Sequence, residues 1–467
     1  MTGGQRMPLR VEQAELREAL TAVCDLVHRE GGTALVVGGS VRDSLLGVPA
    51  KDLDVEVYGV PPDLLKRRLA ARFQIDLVGE AFGVIKLHGL PVDISIPRRE
   101  SKAGLGHKGF EILSDPTMTV QEAASRRDFT INAMAYDPRS DRLHDYFGGE
   151  NDLRARILRH TSAKFTEDPL RVLRGMQFSA RFQLSSAPET LRLCASIDSE
   201  GLAKERILDE WKKLVLKGRS PSLGLAFLRD SGWLRYYPEL MALVGCGQDP
   251  VWHPEGDVWT HTALCLDAYA AERTGDEHED LVVGFAVLCH DLGKPATSRH
   301  DEDHIRSLGH AEAGEAPTRS FLSRMTDQND LIDDVVSLVR DHLRPTDLYE
   351  ARASDAAIRR LACRVRRIDR LVRVAKADRG GRNGLSDDSF PAGDWLLGRA
   401  ASLSVQRSAP TPIVMGRHLI GLGLKPGPAF KPILDACYEA QLDGKIMSVE
   451  EGIKMAGNLL RRIQRKQ

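Results

Sequence analysis

Two patterns of apolar and polar positions divide the chain. Ala34 to Val37 is an unbroken apolar run, as a buried strand requires, and Gly38 and Gly39 end it. Val41 to Leu46 then suits a short helix. Leu53, Val55 and Val57 alternate with Asp52 and Asp54, which predicts a second strand with both carboxylates on one face. Ile75 to Val78, Gly83 to His88 and Leu90 to Ile96 read as further strands, the last holding Asp93. Two helices frame this region. One is Val11 to His28, with Leu16, Leu20, Val23, Leu26 and Val27 on one face; the other opens at Pro61 and Pro62 and runs to Ala71. From Phe165 onward the spacing turns helical, through Phe165 to Phe182, Gly201 to Gly218, Ser222 to Leu234 and Pro238 to Val244. Pro432 to Gln441 and Val449 to Gln467 are the last helices. The expected fold class is α+β, a head with a mixed sheet and helices followed by an all-α body.

Composition narrows the setting. A chain of 467 residues is long enough for several domains of roughly 150 residues each. Its 65 Lys and Arg against 66 Asp and Glu leave a net charge of −1, so an RNA partner has to be met by local positive charge. The seven cysteines stand singly with no CxxC pair, which argues against a disulfide framework and fits a reducing cytoplasm. Met1 to Arg10 lacks the apolar core of a signal peptide, and no apolar run approaches the ~18 residues of a membrane span. Cytoplasmic placement without a membrane partner is expected.

Three segments carry chemistry. In Leu35 to Gly59, the glycines let the backbone approach a ligand where a side chain would intrude, and the start of the following helix favours an anion. Beside that cradle, Asp52 and Asp54 supply carboxylates for a divalent cation. Nucleotidyl transfer needs this combination, because Mg²⁺ neutralises a triphosphate and activates an attacking hydroxyl. In Ser125 to Asp137 (SRRDFTINAMAYD), Arg127 offers a planar charged fork to phosphate or ribose oxygens, and Asp128 and Asn132 are able to accept and donate around ribose hydroxyls. In Phe165 to Phe182 (FTEDPLRVLRGMQFSARF), Asp168 and Pro169 suit a helix start. Leu170, Leu173 and Phe178 make its apolar face, and Glu167, Asp168, Arg171 and Arg174 gather on the other. An acceptor and a fork donor side by side match a cytosine or adenine edge.

Together these segments resemble the class II tRNA nucleotidyltransferases and bacterial poly(A) polymerases, a branch of the polymerase-β-type nucleotidyltransferases; RRDFTINAMA matches that family's signature without departure. The resemblance implies a polymerase-β-like head in which Asp52 and Asp54 hold Mg²⁺, and Asp93 is a candidate third carboxylate or a strand aspartate with a structural bond. It implies that Gly38, Gly39, Ser40 and Arg42 hold the triphosphate. Arg127, Asp128, Asn132, Asp168, Arg171 and Arg174 handle ribose and base. In the family, EDxxR serves as a protein template for CTP and ATP, which assigns Asp168 and Arg171 to the base edge, with Glu167 orienting the arginine. Arg98 to Lys108 resembles the family's flexible specificity loop and favours full CCA addition over partial addition. Glu205 and Arg206 match a helix that buttresses the template. One departure is Gln177, where the family usually has an arginine that assists nucleotide binding; Arg181 is the nearest replacement.

A second array lies between Trp259 and Asp378. His261, the adjacent His290 and Asp291 at the end of an apolar helix, His310, His342 and Asp378 follow the order of the HD phosphohydrolase superfamily, which the segment resembles. Imidazole and carboxylate ligands suit a divalent transition metal such as Ni²⁺ or Mn²⁺, and an open coordination position activates water against a phosphoester. CCA-adding enzymes with a fused HD domain combine the same two arrays, with 2′,3′-cyclic phosphodiesterase or phosphatase activity in the second. The implied organisation is a catalytic head over 1–160, a helical neck with the template over 161–250, an HD domain over 251–380 and a helical tail over 381–467 that meets the tRNA body. The expected function is CCA addition to tRNA 3′ ends from CTP and ATP, with an added phosphohydrolase. The rivals are a poly(A), A-only or CC-only polymerase on the same scaffold, and an HD phosphodiesterase whose head only binds RNA.

Overall fold

β1 (Thr33–Val37) buries four of its five residues because it is flanked on both sides. β2 (Leu53–Tyr58) and β8 (Ala135–Asp137) pair with it, both antiparallel. The computed structural model describes residues 9–78, 83–102, 110–301, 304–382 and 389–464. β3 (Ile75–Val78), β4 (Val84–Leu87), β5 (Val92–Ser95) and β9 (Arg142–His144) complete a seven-stranded sheet in the order β3-β4-β5-β2-β1-β8-β9. Its parallel pair, β2 with β5, makes the sheet mixed, as expected from the sequence. The helix Ala14–Arg29 lays Leu16, Leu20 and Val23 into the core and packs on β1.

One segment differs from its sequence reading. Arg98 to Lys108 is expected as an aperiodic loop, but Arg98–Lys102 is β6 and pairs antiparallel with β7 (Phe110–Ser114), Arg98 opposite Ser114. Residues 103–108 of the expected loop lie outside the described residues. The polar string RRESK has no strand period; its conformation comes from backbone pairing with a partner further along.

The chain divides into two compact units, Met1–Leu214 with Leu223–Tyr236, and Val215–Ser222 with Tyr237–Gln467. The first holds the sheet and the helix Leu170–Phe182. The second is built on the helix Glu277–Cys289, which is buried from Asp280 through Cys289. Val258–Ala271, Asn329–Asp341 and Ile368–Gly380 pack around it. A central helix buried on every face has no amphipathic period, which is why its sequence reads as one apolar run. Arg299–Asp301 pairs antiparallel with His304–Arg306 and interrupts the helices among the described residues of this unit. Toward the C-terminus Val414, Leu419, Ile433, Cys437 and Ala456 share a small core of their own.

Candidate functional site

In the first unit a cleft of about 490 Å³ gathers most of the head and neck residues named above. Eight of its lining residues are Arg or Lys and three are Asp, so the local positive charge that the overall balance hides is concentrated here. Gly38 forms one lip at φ +73°, a left-handed conformation natural to glycine. A Cβ at Gly38 would lie 3.3 Å from Arg127 Nη1 and 3.7 Å from Asp54 Oδ2. Asp54 is accessible from the cleft. Partial desolvation nonetheless raises its pKa; Arg127 opposes the shift, and Asp52 and Asp93 add to it. Asp93 is the register partner of Asp54 across β2 and β5, and Lys86 Nζ lies 2.9 Å from its carboxylate. Carboxylates crowded in this way favour the binding of a hard divalent cation.

Asp52 lies just before β2. Ser40 is buried, and its hydroxyl donates to the Asp52 carbonyl at 2.9 Å, so the side chain fixes the carboxylate's backbone. Arg127 Nη2 lies 3.5 Å from Glu56, two residues beyond Asp54 on the same strand face. Asp128 is buried. Its carboxylate accepts from Arg174 Nε at 2.7 Å, Asn132 Nδ2 at 3.0 Å and the Phe129 N–H at 2.7 Å. Burial would raise the Asp128 pKa, but Arg174 and these hydrogen bonds hold it below its ordinary value. Asn132 Oδ1 in turn accepts from Arg42 Nη1 at 2.6 Å, and the Arg42 guanidinium lies 4.2 Å from the Phe182 ring centre.

Leu170–Phe182 presents Arg171, Arg174, Phe178 and Arg181 to the cleft at helical spacing and buries Val172, Leu173, Met176 and Ala180 on the other side. Asp168 accepts from the Leu170 N–H at 3.0 Å, as expected of a helix start, and from Arg206 Nη2 at 2.8 Å. Arg171 donates to the carbonyls of Lys164 and Arg126, both at 2.6 Å. Glu167 approaches Arg126 at 3.8 Å. Gln177 is buried, and its Oε1 accepts from Arg181 Nη1 at 3.2 Å.

In the second unit, the array of histidines and aspartates converges. His261 Nε2 is 3.0 Å from Asp378 Oδ1 and 3.8 Å from Asp291 Oδ2. His290 Nε2 is 3.2 Å from Asp291 Oδ2, and His310 Nε2 is 3.4 Å from Asp291 Oδ1 and 3.3 Å from His342 Nε2. The opposite ring nitrogens are tied down: His290 Nδ1 to Val287 O, His310 Nδ1 to Ser307 O and His342 Nδ1 to Val339 O, each at 2.7 Å. Second nitrogens anchored in this way aim the first ones inward, as metal-ligating imidazoles require. His290 Nε2 and both Asp291 oxygens are buried without a hydrogen-bond partner, although Lys294 Nζ lies 2.7 Å from Asp291. Burial disfavours an imidazolium, yet Cys265, Asp378 and Glu255 outweigh it at His261 and raise its pKa to about 12; Asp291 raises that of His290 to about 10. Burial beside His290 and His310 pushes His342 down to about 3. Convergent ring nitrogens and orphaned carboxylate oxygens fit a centre built for a cation. It lies on a pocket of about 380 Å³ that His310, His342, Asp291 and Asp378 line with Lys294 and Arg382.

Sequence reasoning missed three participants. Glu255 is buried and accepts from His261 Nδ1 at 2.7 Å. Cys265 places its Sγ 3.4 Å from His261 Nε2, and Arg382 Nη2 reaches Asp378 at 3.4 Å. The one available signal was the four-residue spacing of His261 and Cys265, which puts them on the same helix face.

Two family models match the chain, the poly A polymerase head domain over residues 34–159 and the HD domain over residues 258–374. The protein is therefore of the class that joins a nucleotidyltransferase head to an HD domain. The multifunctional CCA protein of Xylella fastidiosa (strain 9a5c) is 39% identical over 389 residues, covering 79% of this chain and 89% of its own. That of Stenotrophomonas maltophilia (strain R551-3) is 36% identical over 389 residues, 79% of this chain and 92% of its own. The chain belongs to the multifunctional CCA protein family. The crystal structure of the Bacillus stearothermophilus CCA-adding enzyme in complex with CTP shares the fold, with a TM-score of 0.64 at 22% identity over 97% of this chain and 100% of that one. Among the described residues, no helix is long and apolar enough to cross a membrane.

Proposed function

We propose that this protein adds CCA to the 3′ ends of tRNA from CTP and ATP in the cytoplasm, and that its HD centre hydrolyses a phosphoester of the 2′,3′-cyclic or terminal-phosphate kind. The observation that carries the first reading is the single cleft that places Gly38, Asp54, Arg127 and the cationic face of Leu170–Phe182 together. Asp52 and Asp54, with Asp93 beside them, would hold Mg²⁺, which when bound neutralises the triphosphate and activates the tRNA 3′-hydroxyl. Gly38 and Gly39 leave the backbone open to the triphosphate, and Arg127 offers its fork to phosphate oxygens. Asp168 and Arg171 meet the base edge of CTP or ATP, the acceptor and donor arriving already ordered by Arg206 and by two carbonyls. Asp128 and Asn132 act through Arg174 and Arg42, which they hold against the cleft wall.

In the HD centre His261, His290, Asp291 and Asp378, with His310 and His342 adjacent, would hold a divalent transition metal such as Ni²⁺ or Mn²⁺, which supplies an activated water when bound. Lys294 and Arg382 face the same pocket and offer positive charge to the phosphoester.

The test is extension of tRNA ending at the discriminator base with labelled CTP and ATP. Three added nucleotides in the order C, C, A are expected; a long A tract, CC alone or A alone would overturn the reading. Asp54→Ala should abolish incorporation and leave hydrolysis of a 2′,3′-cyclic nucleotide intact. Asp291→Ala should do the reverse.

A further inference from the structure

Cys265 sits one helical turn beyond His261 on Val258–Ala271, fully buried, with its sulfur inside the HD cluster. The ligand atoms of His261, Cys265, His290 and Asp378 all lie within 4.8 Å of one another, and those of Asp291, His310 and His342 form a second such group beside them. The sulfur is 3.4 Å from His261 Nε2, the ring nitrogen left facing inward because Glu255 occupies Nδ1. Ligand atoms sharing one ion stand about that far apart: with a metal–sulfur distance of about 2.3 Å and a metal–nitrogen distance of about 2.0–2.1 Å, a tetrahedral pair is separated by roughly 3.6 Å. The backbone makes room for the sulfur. A side chain at Gly381, just past the helix that carries Asp378, would overlap Cys265. An independent observation points to a ligand at the same spot: His290 Nε2 is buried without a hydrogen-bond partner, while its Nδ1 is spent on Val287 O.

We propose that Cys265 is a thiolate ligand of the HD centre, so that the centre takes sulfur-binding divalent ions of the zinc and cobalt class in preference to Mn²⁺ or Mg²⁺. The proposal rests on the reading of this cluster as a metal centre, adds to it a donor that the histidine and aspartate array does not contain, and narrows its metal by removing Mn²⁺ from the ions named above. On binding, the S–H bond breaks, the proton leaves to solvent and the sulfur lone pair is donated to the ion, with no change of oxidation state. Soft thiolate donors select against Mn²⁺ and Mg²⁺, which favour oxygen. The competing arrangement is a neutral thiol whose S–H donates to the Asp378 carbonyl, 3.6 Å away.

Chelator-stripped full-length protein loaded with one equivalent of Co²⁺ separates the two. The expected result is a sulfur-to-cobalt charge-transfer band in the near ultraviolet that is lost in Cys265→Ser and kept in Cys363→Ser. The same Cys265→Ser change should weaken Zn²⁺ binding relative to Mn²⁺ by at least about tenfold. Cobalt bound with the visible bands of a nitrogen and oxygen site and no sulfur band would overturn the role of Cys265 while leaving the metal centre standing. Cobalt uptake that His290→Ala does not reduce would overturn both. X-ray absorption on the zinc-loaded native chain needs no variant: a sulfur shell at about 2.3 Å supports the proposal, and a shell of only nitrogen and oxygen refutes it.

Discussion

Arg42 Nη1 donates to Asn132 Oδ1 at 2.6 Å, joining residues ninety positions apart in a buried bond. Asn132 passes the connection to Asp128 at 3.0 Å, and Asp128 to Arg174 at 2.7 Å. One polar chain thereby ties the helix after the glycine turn, the RRDFTIN segment and the Leu170–Phe182 helix into a single wall. Its members are not interchangeable, because Arg42, Asn132 and Asp128 are buried and would be left unpaired there. Asn132→Ala removes two of these bonds, both to charged partners. It should cost about 2–4 kcal/mol in urea unfolding and raise KM for CTP and ATP together. A variant with native stability and native KM would show that the chain carries no load.

Gly38→Ala tests the lip of the cleft. The left-handed backbone at φ +73° disfavours any side chain, and the added methyl would press on Arg127 and approach Asp54. Roughly 1 kcal/mol of stability should be lost, with a much larger fall in nucleotide incorporation. Thermal unfolding and a primer-extension assay on the same preparation separate the two effects.

Local motifs were legible in the sequence where spacing alone decides geometry. β2 alternates as expected and lies beside the Asp93 strand, but it begins at Leu53, so Asp52, expected in the strand with Asp54, stands just before it. The Asp168 helix start and the HD step at the end of an apolar helix were equally local. Roles that depend on distant partners were not readable. Asp128 and Asn132 looked like ribose contacts, yet their polar atoms face Arg174 and Arg42, brought in from other elements. The two carbonyls that order Arg171 come from Lys164 and Arg126, and no local pattern around Arg171 announces them. Polar RRESK carried no trace of its pairing with β7, and the cysteine in an apolar helix pointed to the imidazole beside it only through its four-residue spacing from His261.

The orphaned His290 Nε2 and Asp291 oxygens predict that metal stabilises the second unit. Any ion that binds the folded state and not the unfolded one adds RT ln(1 + [L]/Kd), about 2.7 kcal/mol at a hundredfold excess over Kd. Calorimetry of stripped and Ni²⁺- or Zn²⁺-loaded protein should show the upward shift in Tm. His290→Ala should remove most of it, whereas Asp54→Ala should leave it in place.

Acid should weaken the second unit through Glu279. Its carboxylate accepts from Arg370 Nε and Nη2, both at 2.8 Å, and from Arg367 Nη1 at 2.9 Å. The hydrogen bonds from Arg370 dominate; burial opposes them and Arg367 adds to them, and the pKa is held at about 2 against an ordinary 4.5. Because the folded-state value lies below the unfolded one, the unfolded chain binds the proton more readily. The stabilisation is therefore complete above pH 4.5 and is lost as pH falls from there through about 2. Glu279→Gln should cost about 1.5–3 kcal/mol at neutral pH, the scale of hydrogen bonds to charged groups. The gap between variant and native protein should then narrow steadily below pH 4.5. Urea unfolding across that range, read on both proteins, gives the answer: parallel stability curves would mean that Glu279 does not carry this part of the acid response.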